Sequence, residues 1–380
     1  MWSRRQFLSR GALGVLGITG TALAFPGDGR REAMPDGSQA RDMVKGPAES
    51  AIERGLSYLA RQQAADGYWG SNNYLANVAI TSLGALAMMA GGSMPGRGKY
   101  GENVTKAVRW VIEQGERPGG RAGAFGMQHP AGFLHNPAHF GQQGPMYSHG
   151  FGTLLLGEVC GMGPDPSLRD RTREALGKAV KVIKDSQSRE GGWRYNPMPF
   201  DADISVTVCQ MMALRSAKNA GIDIPKSVRD RCVEYVKRCW NNDGSYNYQA
   251  AAPGPRWAGG NAGGFARTAA GVAALYSAAI YSGEHIETGL AYLSRNRLQR
   301  FGGRQADMHY FYGHYYAAQA MWTAGGQYWR DWFPLVRDEL VSHQDRNDGS
   351  WSDMICPHYG TAMACIILQV PNNYLPILQK

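Results

Sequence analysis

The tetrapeptide Asp66-Gly67-Tyr68-Trp69 decides the fold, because variants of it recur along the whole chain. Most variants combine a polar residue, a glycine and an aromatic side chain. The other five copies are Gly123-Ala124-Phe125-Gly126, Gly191-Gly192-Trp193, Asp243-Gly244-Ser245-Tyr246, Phe301-Gly302-Gly303 and Asp348-Gly349-Ser350-Trp351. Consecutive copies lie roughly 50 to 70 residues apart, which leaves room for two helices and their connections. The repeat therefore predicts a series of helical hairpins.

The segments on either side of these turns predict two kinds of helix. An amphipathic segment usually precedes the turn, as in residues 51–59, and a more apolar one follows it, as in residues 78–89 and 206–214. An amphipathic helix buries one face, whereas a helix that is apolar all round is buried on every side. The pattern predicts an all-α (α/α)6 toroid of six helix hairpins with an outer and an inner layer. A flat solenoid is the alternative, although six hairpins are enough to close a ring.

The amino terminus has the features of an export signal. Arg4 and Arg5 precede an uncharged stretch that runs from Gly11 to Phe25 and contains the small-x-small pattern Ala22-Leu23-Ala24. This order resembles a twin-arginine signal peptide, so we expect an exported protein that is periplasmic or secreted. The predicted organisation is a signal peptide over residues 1–24, a flexible leader over 25–46 and a single toroid domain over 47–380.

The distribution of charge along the sequence argues against nucleic acid as a partner. The formal net charge of the 380 residues is +9, but the basic residues are spread along the chain without a dense cluster. Nucleic-acid binding is therefore not expected.

The six cysteines form no CxxC pair, and a chain of this size does not depend on disulfides, so we expect buried thiols. The sequence does not indicate an oligomeric state.

The turns resemble the QW repeats of squalene-hopene cyclases and the matching repeats of protein prenyltransferase beta subunits. The resemblance is to the terpene cyclase and prenyltransferase superfamily, and it covers the pattern of residues 47–380. The clearest copies are Gln63 running to Gly67 and Trp69, Gln187 running to Gly192 and Trp193, and Gln344 running to Gly349 and Trp351. In such repeats a glutamine hydrogen-bonds nearby backbone while the aromatic ring packs against a helix end. The resemblance thus implies the toroid fold and structural roles for the aromatic residues.

A candidate catalytic acid follows from the same resemblance. Class II terpene cyclases carry Asp-x-Asp-Asp-Thr-Ala at the start of an inner helix, and the middle aspartate protonates an alkene. The similar stretch here is Asp201-Ala202-Asp203-Ile204-Ser205-Val206. The resemblance implies that Asp203 is the proton donor and Asp201 the first position of the motif. Ile204 stands where the family has an acidic residue, and such a neighbour normally helps to set the acidity. The alternative is that Asp203 or Ser205 caps the following helix.

A candidate zinc site is the second functional prediction. Protein prenyltransferases hold zinc with an Asp-x-Cys pair before an aromatic inner helix and with a histidine near a later one. The resemblance implies a similar set formed by Asp307, His309 and His358. Three protein ligands leave an open coordination position, and imidazole replaces thiolate acceptably. The alternative is a helix cap at Asp307 and two polar histidines at the mouth of the barrel. No other cofactor is expected.

Aromatic and imidazole side chains are dense in two further segments. Terpene cyclases line their cavity with rings because the negative ring faces stabilise carbocations. The residues expected to line the central cavity are Tyr147, His149, Tyr310, Tyr312 and His314. The alternative is ordinary core packing at helical spacing.

The leading functional hypothesis is an exported protein that acts on or binds an isoprenoid or other apolar substrate in the central cavity. Asp203 would supply acid catalysis, in a cyclase-like isomerase or a prenyltransferase-like transferase, and peripheral membrane contact would suit such a ligand. Two alternatives stay open. One is a non-catalytic lipid or peptide receptor. The other is a polysaccharide-active enzyme, which needs carboxylates or arginines that converge in the cleft, with Asp201, Asp203, Arg256 and Arg267 as candidates.

Overall fold

The computed structural model describes residues 40–379, apart from 41, 118–120, 123–126, 138–143, 251–262 and 297–308, with no side chains for 121, 122, 127 and 128. The predicted signal peptide and most of the leader lie outside the described residues. So do two of the predicted turns, at 123–126 and 301–303, and the candidate residues Arg256 and Asp307.

The described residues form twelve α-helices that alternate between two layers. The outer helices are α1 (Pro47–Gln62), α3 (Gly101–Glu116), α5 (Pro166–Asp185), α7 (Lys226–Arg238), α9 (Glu284–Arg295) and α11 (Gly326–Ser342). The inner helices are α2 (Val78–Ala90), α4 (Pro145–Val159), α6 (Ile204–Asn219), α8 (Phe265–Ser277), α10 (Tyr310–Ala324) and α12 (Pro357–Gln369). Two strands of two residues each, β1 (Arg121–Ala122) and β2 (Met127–Gln128), pair antiparallel.

The helices close into a ring. Each inner helix packs against the inner helices before and after it, and α12 packs against α2. In the outer layer α11 packs against α1. The predicted all-α (α/α)6 toroid is therefore confirmed. No helix in the described ranges is both long and apolar enough to cross a bilayer.

Burial differs between the layers as the sequence predicts. Every residue of inner helix α2 except Ala79 is buried, whereas outer helix α1 buries one face that includes Ile52, Leu56 and Leu59. A helix surrounded by its ring neighbours and its outer partner has no solvent face, so apolar residues occupy all sides. All six cysteines are unpaired and buried within this packing.

Glutamine side chains connect successive repeats. The amide of Gln344 donates to the Gly349 carbonyl of its own turn and to the Ala51 carbonyl of α1, both at 2.8 Å. Its oxygen accepts from Arg54. The same pattern links Gln63 to Gly67 and Asn103, and Gln187 to Gly191 and Val228. Since Gln344 belongs to the last repeat and Ala51 to the first, the contact that joins neighbours also closes the ring.

The tryptophans of the turns join the two layers within a repeat. The indole Nε1 of Trp193 donates to the Ile183 carbonyl in outer helix α5 at 2.7 Å. Its backbone N–H donates to Thr207 Oγ1 in inner helix α6 at 3.0 Å. Trp69 and Trp351 make the equivalent pairs of bonds. Each tryptophan thereby fixes the angle between an outer helix and the inner helix that follows it.

The second repeat uses a turn that the sequence pattern does not reveal. Gly132 has φ +85°, and a Cβ there would lie 2.5 Å from Lys178 Cβ, as a Cβ on Gly191 would lie 2.2 Å from the Arg231 carbonyl oxygen. Two residues later, the N–H of Leu134 donates to His149 Nδ1 at 3.0 Å, in the way that Trp193 uses Thr207. Leu134 thus takes the place of the aromatic residue, downstream of the predicted copy at residues 123–126.

Loss of the ring-closing amide should destabilise the fold. In Gln344→Ala the carbonyls of Ala51 and Gly349 lose buried partners, which should lower the free energy of unfolding by about 2 kcal/mol. Urea denaturation followed by circular dichroism measures this. The control Gln327→Ala removes an exposed side chain that bonds only within its own helix and should change stability by less than about 0.5 kcal/mol. Equal stability of the two variants would contradict the role of Gln344.

Candidate functional site

Side chains fill the axis of the ring at the level of the second turns of the inner helices. Phe151 of α4 and Tyr315 of α10, on opposite sides of the ring, meet edge to face with centroids 5.9 Å apart. Nearby, Cys209 Sγ lies 3.3 Å from the Tyr316 hydroxyl. All four side chains are buried. The axis at this depth is therefore packed core.

The carboxyl-terminal segment closes the end of the ring where the inner helices finish. Ile377 donates its N–H to Glu158 Oε2 at 3.1 Å, and Arg215 Nη2 donates to the Gln379 carbonyl at 3.0 Å. The cavity left beside Ile377 and Leu378 has a volume of about 10 Å³, enough for about one water molecule. The opposite end of the ring is the one where the inner helices begin.

We call that end the mouth and define it by Tyr147, Arg194, Tyr195, Asp203, Tyr248 and Tyr312. Asp203 is fully buried and caps α6, with Oδ1 accepting the Val206 N–H at 2.8 Å. Its backbone pairs with Trp193 in a β-bridge, in which the Asp203 N–H donates to the Trp193 carbonyl at 2.9 Å. The turn of the third repeat therefore fixes the position of Asp203.

Arg194 connects the two aspartates predicted from the sequence. Its Nε lies 3.7 Å from Asp203 Oδ2, and its Nη1 lies 3.4 Å from Oδ2 of the half-exposed Asp201. The guanidinium also lies over the rings of Tyr195 and Tyr248, 5.0 and 5.4 Å from their centroids. This contact of a cation with two ring faces holds the charge of Arg194 in place beside the carboxylates.

A second arginine approaches the same tyrosine. The guanidinium of Arg267, from α8, lies 5.3 Å from the centroid of the Tyr248 ring. The hydroxyls of Tyr195 and Tyr248 are hydrogen-bonded to each other. The mouth thus brings together arginines, tyrosine hydroxyls and a carboxylate, which are groups that recognise a polar ligand.

The electrostatics of Asp203 suit proton transfer near neutral pH. Burial raises the pKa of its carboxyl group to about 6, against the opposing effects of the Val206 N–H and the charge of Arg194. Its Oδ2 has no hydrogen bond of ordinary length within the described part of the chain. An acid works best when its pKa lies near the working pH, so Asp203 has the acidity of a general acid or base.

Asp353 is a second carboxylate at the mouth that the sequence did not reveal as a candidate. It stands two residues after Trp351, as Tyr195 stands two residues after Trp193. Burial raises the pKa of Asp353 to about 6, with the Ile355 N–H opposing at 2.8 Å. Asp353 precedes α12 and Asp203 precedes α6, so the two residues lie on opposite sides of the ring.

Four of the five residues predicted to line the cavity divide into two pairs. Tyr147 and Tyr312 lie at the mouth, where the Tyr312 hydroxyl donates to the Ser205 carbonyl at 3.2 Å. Tyr310 and His314 instead pack together, with ring centroids 4.4 Å apart, and His314 faces Trp332 of outer helix α11. Their side of α10 therefore belongs to the interface between the layers.

His149 has a structural position. Its Nδ1 accepts the Leu134 N–H and its Nε2 lies 3.0 Å from the Ala179 carbonyl, so both ring nitrogens have backbone partners. The carbonyl requires the proton on Nε2, and burial lowers the pKa of the ring to about 3. The neutral imidazole thus joins the second repeat to α5.

The two described members of the predicted zinc set have different surroundings. His309 is exposed at the start of α10, near Tyr312, whereas His358 is buried against Tyr58 of outer helix α1 with ring centroids 5.9 Å apart. The described residues contain no group of three or more side chains suited to hold a metal ion. Because Asp307 lies outside them, zinc binding stays a prediction.

Fold and mouth together define this chain as an (α/α)6 toroid with carboxylates and arginines at one end. No family model matches it, and no curated protein matches it by sequence.

Among solved structures, the toroid is similar to proteins of different activities. One is a variant of the type II terpene cyclase MstE from Scytonema bound to merosterolic acid A, with TM-score 0.54 and 12% identity over 89% of this chain and 99% of that one. Cellobiose 2-epimerase from Bacillus thermoamylovorans has TM-score 0.57 and 10% identity over the same shares. The GH76A alpha-1,6-mannanase from a Salegentibacter species has TM-score 0.58 and 8% identity over 86% and 99%. At such identities the likeness is one of fold alone.

Asp203 should make stability depend on pH in a defined direction. Its pKa is about 6 in the folded chain against 3.8 for a free carboxyl, so the folded state binds the proton more tightly. Stability from this group is therefore full below pH 4 and falls as pH rises to about 6. Asp203→Asn keeps a neutral cap and should be more stable than the parent by about 1 to 3 kcal/mol at pH 8, with no gain at pH 4.

Denaturant unfolding across this pH range measures the effect. The control Asp165→Asn changes the cap of α5, whose carboxyl is solvent-exposed, and should give no comparable gain at pH 8. A loss of stability in Asp203→Asn at pH 8 would mean that the ion pair with Arg194 outweighs the cost of burying the charge.

Proposed function

We propose that this chain is an exported enzyme that acts on a carbohydrate at the mouth of the toroid. The observation that carries the proposal is Asp203, a buried carboxyl with pKa near 6 that is held beside Arg194 and the tyrosines of the mouth. The proposed reaction class is acid–base chemistry at a sugar carbon, as in hydrolysis of a glycosidic bond.

The filled axis favours a polar ligand over an isoprenoid. An apolar ligand the size of an isoprenoid needs an enclosed cavity of several hundred Å³. The contacts Phe151 with Tyr315 and Cys209 with Tyr316 occupy the place where such a cavity would lie. A sugar ring, by contrast, stacks on tyrosine and bonds to hydroxyls and guanidinium groups, which are the groups of the mouth.

Two carboxylates give the proposed site its division of roles. Asp203 acts as general acid, since its raised pKa keeps a fraction of it protonated at neutral pH. Asp353, on the opposite side of the mouth, acts as base or nucleophile. Arg194 orients Asp203. It also pairs with Asp201 and thereby holds the segment that carries both aspartates. Two of the similar structures are named as sugar enzymes, the cellobiose epimerase and the mannanase, which is in keeping with this role.

A terpenoid reaction is the second candidate. It is favoured by the position of Asp203 at the start of an inner helix, as the cyclase motif requires, and by the rings of Tyr147 and Tyr312 beside it. For a terpenoid reaction, the substrate would enter from the mouth and displace side chains from the axis.

Turnover assays on the mature chain, residues 25–380, distinguish the candidates. The substrates are manno-, xylo- and cello-oligosaccharides and, separately, squalene and geranylgeranyl diphosphate, with products followed by liquid chromatography and mass spectrometry. We expect conversion of an oligosaccharide, and a loss of about 100-fold or more in Asp203→Asn and in Asp353→Asn. The control Asp165→Asn should retain full activity.

Each result has a defined meaning. Conversion of an isoprenoid that depends on Asp203 would support the second candidate and overturn the first. If an oligosaccharide is converted equally well by the parent and by both variants, the carboxylates are not the catalytic groups. Absence of conversion of any substrate, with no binding of oligosaccharides in calorimetry, would overturn the enzymatic proposal.

A further inference from the structure

A groove lies at the opposite end of the toroid from the mouth. It runs between the carboxyl-terminal ends of α6 and α8 and the start of α7, and its volume is about 400 Å³. This size is within the range of small-molecule sites. None of the mouth residues lines it, so its chemistry is independent of the proposed reaction.

The groove is positively charged. Four cationic side chains line it, Arg215, Lys218, Lys226 and Arg229, and its lining residues include no acidic side chain. Lys226 and Arg229 share one acidic neighbour, Asp230, each at 2.7 Å. Four positive charges against that one negative charge leave an excess of three.

Helix dipoles alone do not account for this charge. The carboxyl-terminal ends of α6 and α8 each contribute about half a negative charge, which together offset about one of the three. Arg215 already satisfies a carbonyl at the end of α8, since its Nη1 donates to Tyr276 O at 3.2 Å. Lys218, on the last turn of α6, is exposed above the groove. The surplus charge therefore suits an anion.

The floor of the groove is apolar. Met211 and Leu214 of α6 form it together with Ile224, which is half-buried in the connection to α7. Tyr281 is 49% exposed at its edge and stacks on Tyr276 with ring centroids 5.9 Å apart. An exposed aromatic ring beside apolar side chains offers contact area to a hydrocarbon chain.

We propose that this groove binds a single-chain amphiphilic anion, with a carboxylate or phosphate head among the cationic side chains and its hydrocarbon chain along the apolar floor. The head lies between Lys218 and Arg229, and the chain runs towards Tyr281. A free single-chain ligand fits the volume, which is small for a phospholipid with two chains. The guanidinium of Arg215 is held by two backbone carbonyls and needs no ordering on binding.

Calorimetry on the mature chain tests this with probes that separate head from chain. The probes are laurate and dodecyl phosphate below their micellar concentrations, with dodecanol as the uncharged chain and acetate and inorganic phosphate as chainless anions. We expect both amphiphiles to bind at least tenfold more tightly than any of the three controls. Affinity should fall as ionic strength rises, because the head is held by charge.

The side chains of Lys218 and Tyr281 are exposed, so substitutions at these two positions should leave the fold intact. Lys218→Glu should weaken binding of laurate at least tenfold, whereas Lys184→Glu, at the matching last turn of α5, should leave it unchanged. Tyr281→Ala should weaken laurate and dodecyl phosphate while leaving the weak binding of inorganic phosphate as it is.

Other outcomes overturn the proposal. Equal affinity for laurate and dodecanol would mean that charge plays no part, and equal affinity for laurate and acetate would mean that the chain plays none. Binding to phosphatidylglycerol vesicles but not to free laurate would assign the basic face to a membrane surface instead. Oligosaccharide turnover is measured separately, so its failure leaves this test intact.

Discussion

The buried amide that joins one repeat to the next is the interaction on which the rest of the structure depends. Gln344 uses both N–H groups and its oxygen, so one side chain satisfies two carbonyls and an arginine from two repeats. A partner lost in the protein interior costs more than the bond itself contributes. The outer helices joined by Gln63, Gln187 and Gln344 therefore meet in a fixed register. The amino-terminal ends of the inner helices surround one mouth.

The sequence predicts this fold wherever the turn uses tryptophan and glutamine, because both act on neighbours at a constant spacing. It does not locate this turn of the second repeat, for a physical reason. The turn needs a glycine, a backbone donor and an acceptor on the inner helix, and Gly132, Leu134 and His149 supply all three without an aromatic residue. The signal that survives is the glycine with positive φ, which sequence alone does not distinguish among 50 glycines.

The candidate site is less predictable than the fold because its members come from different repeats. Asp203 is visible in the sequence as an aspartate before an apolar helix. Arg194 lies nine residues before Asp203 in the turn of the same repeat, whereas Tyr248 comes from the next repeat and Asp353 from the last, so no local spacing relates those two residues to Asp203. A shared offset could have found two of them, since Tyr248 and Asp353 each follow the aromatic residue of their turn by two positions.

The size of the side chains on the inner helices decides where this toroid can hold a ligand. The resemblance to terpene cyclases predicts rings around a cavity, and rings are present, but Tyr315 and Phe151 reach across the axis and meet. Their contact moves the accessible polar groups outward to the mouth. There burial raises the pKa of Asp203, and the positive charge of Arg194 partly lowers it again. The balance of the two effects leaves the pKa near 6. Burial of Asp203 thus supplies the desolvation that tunes the acid.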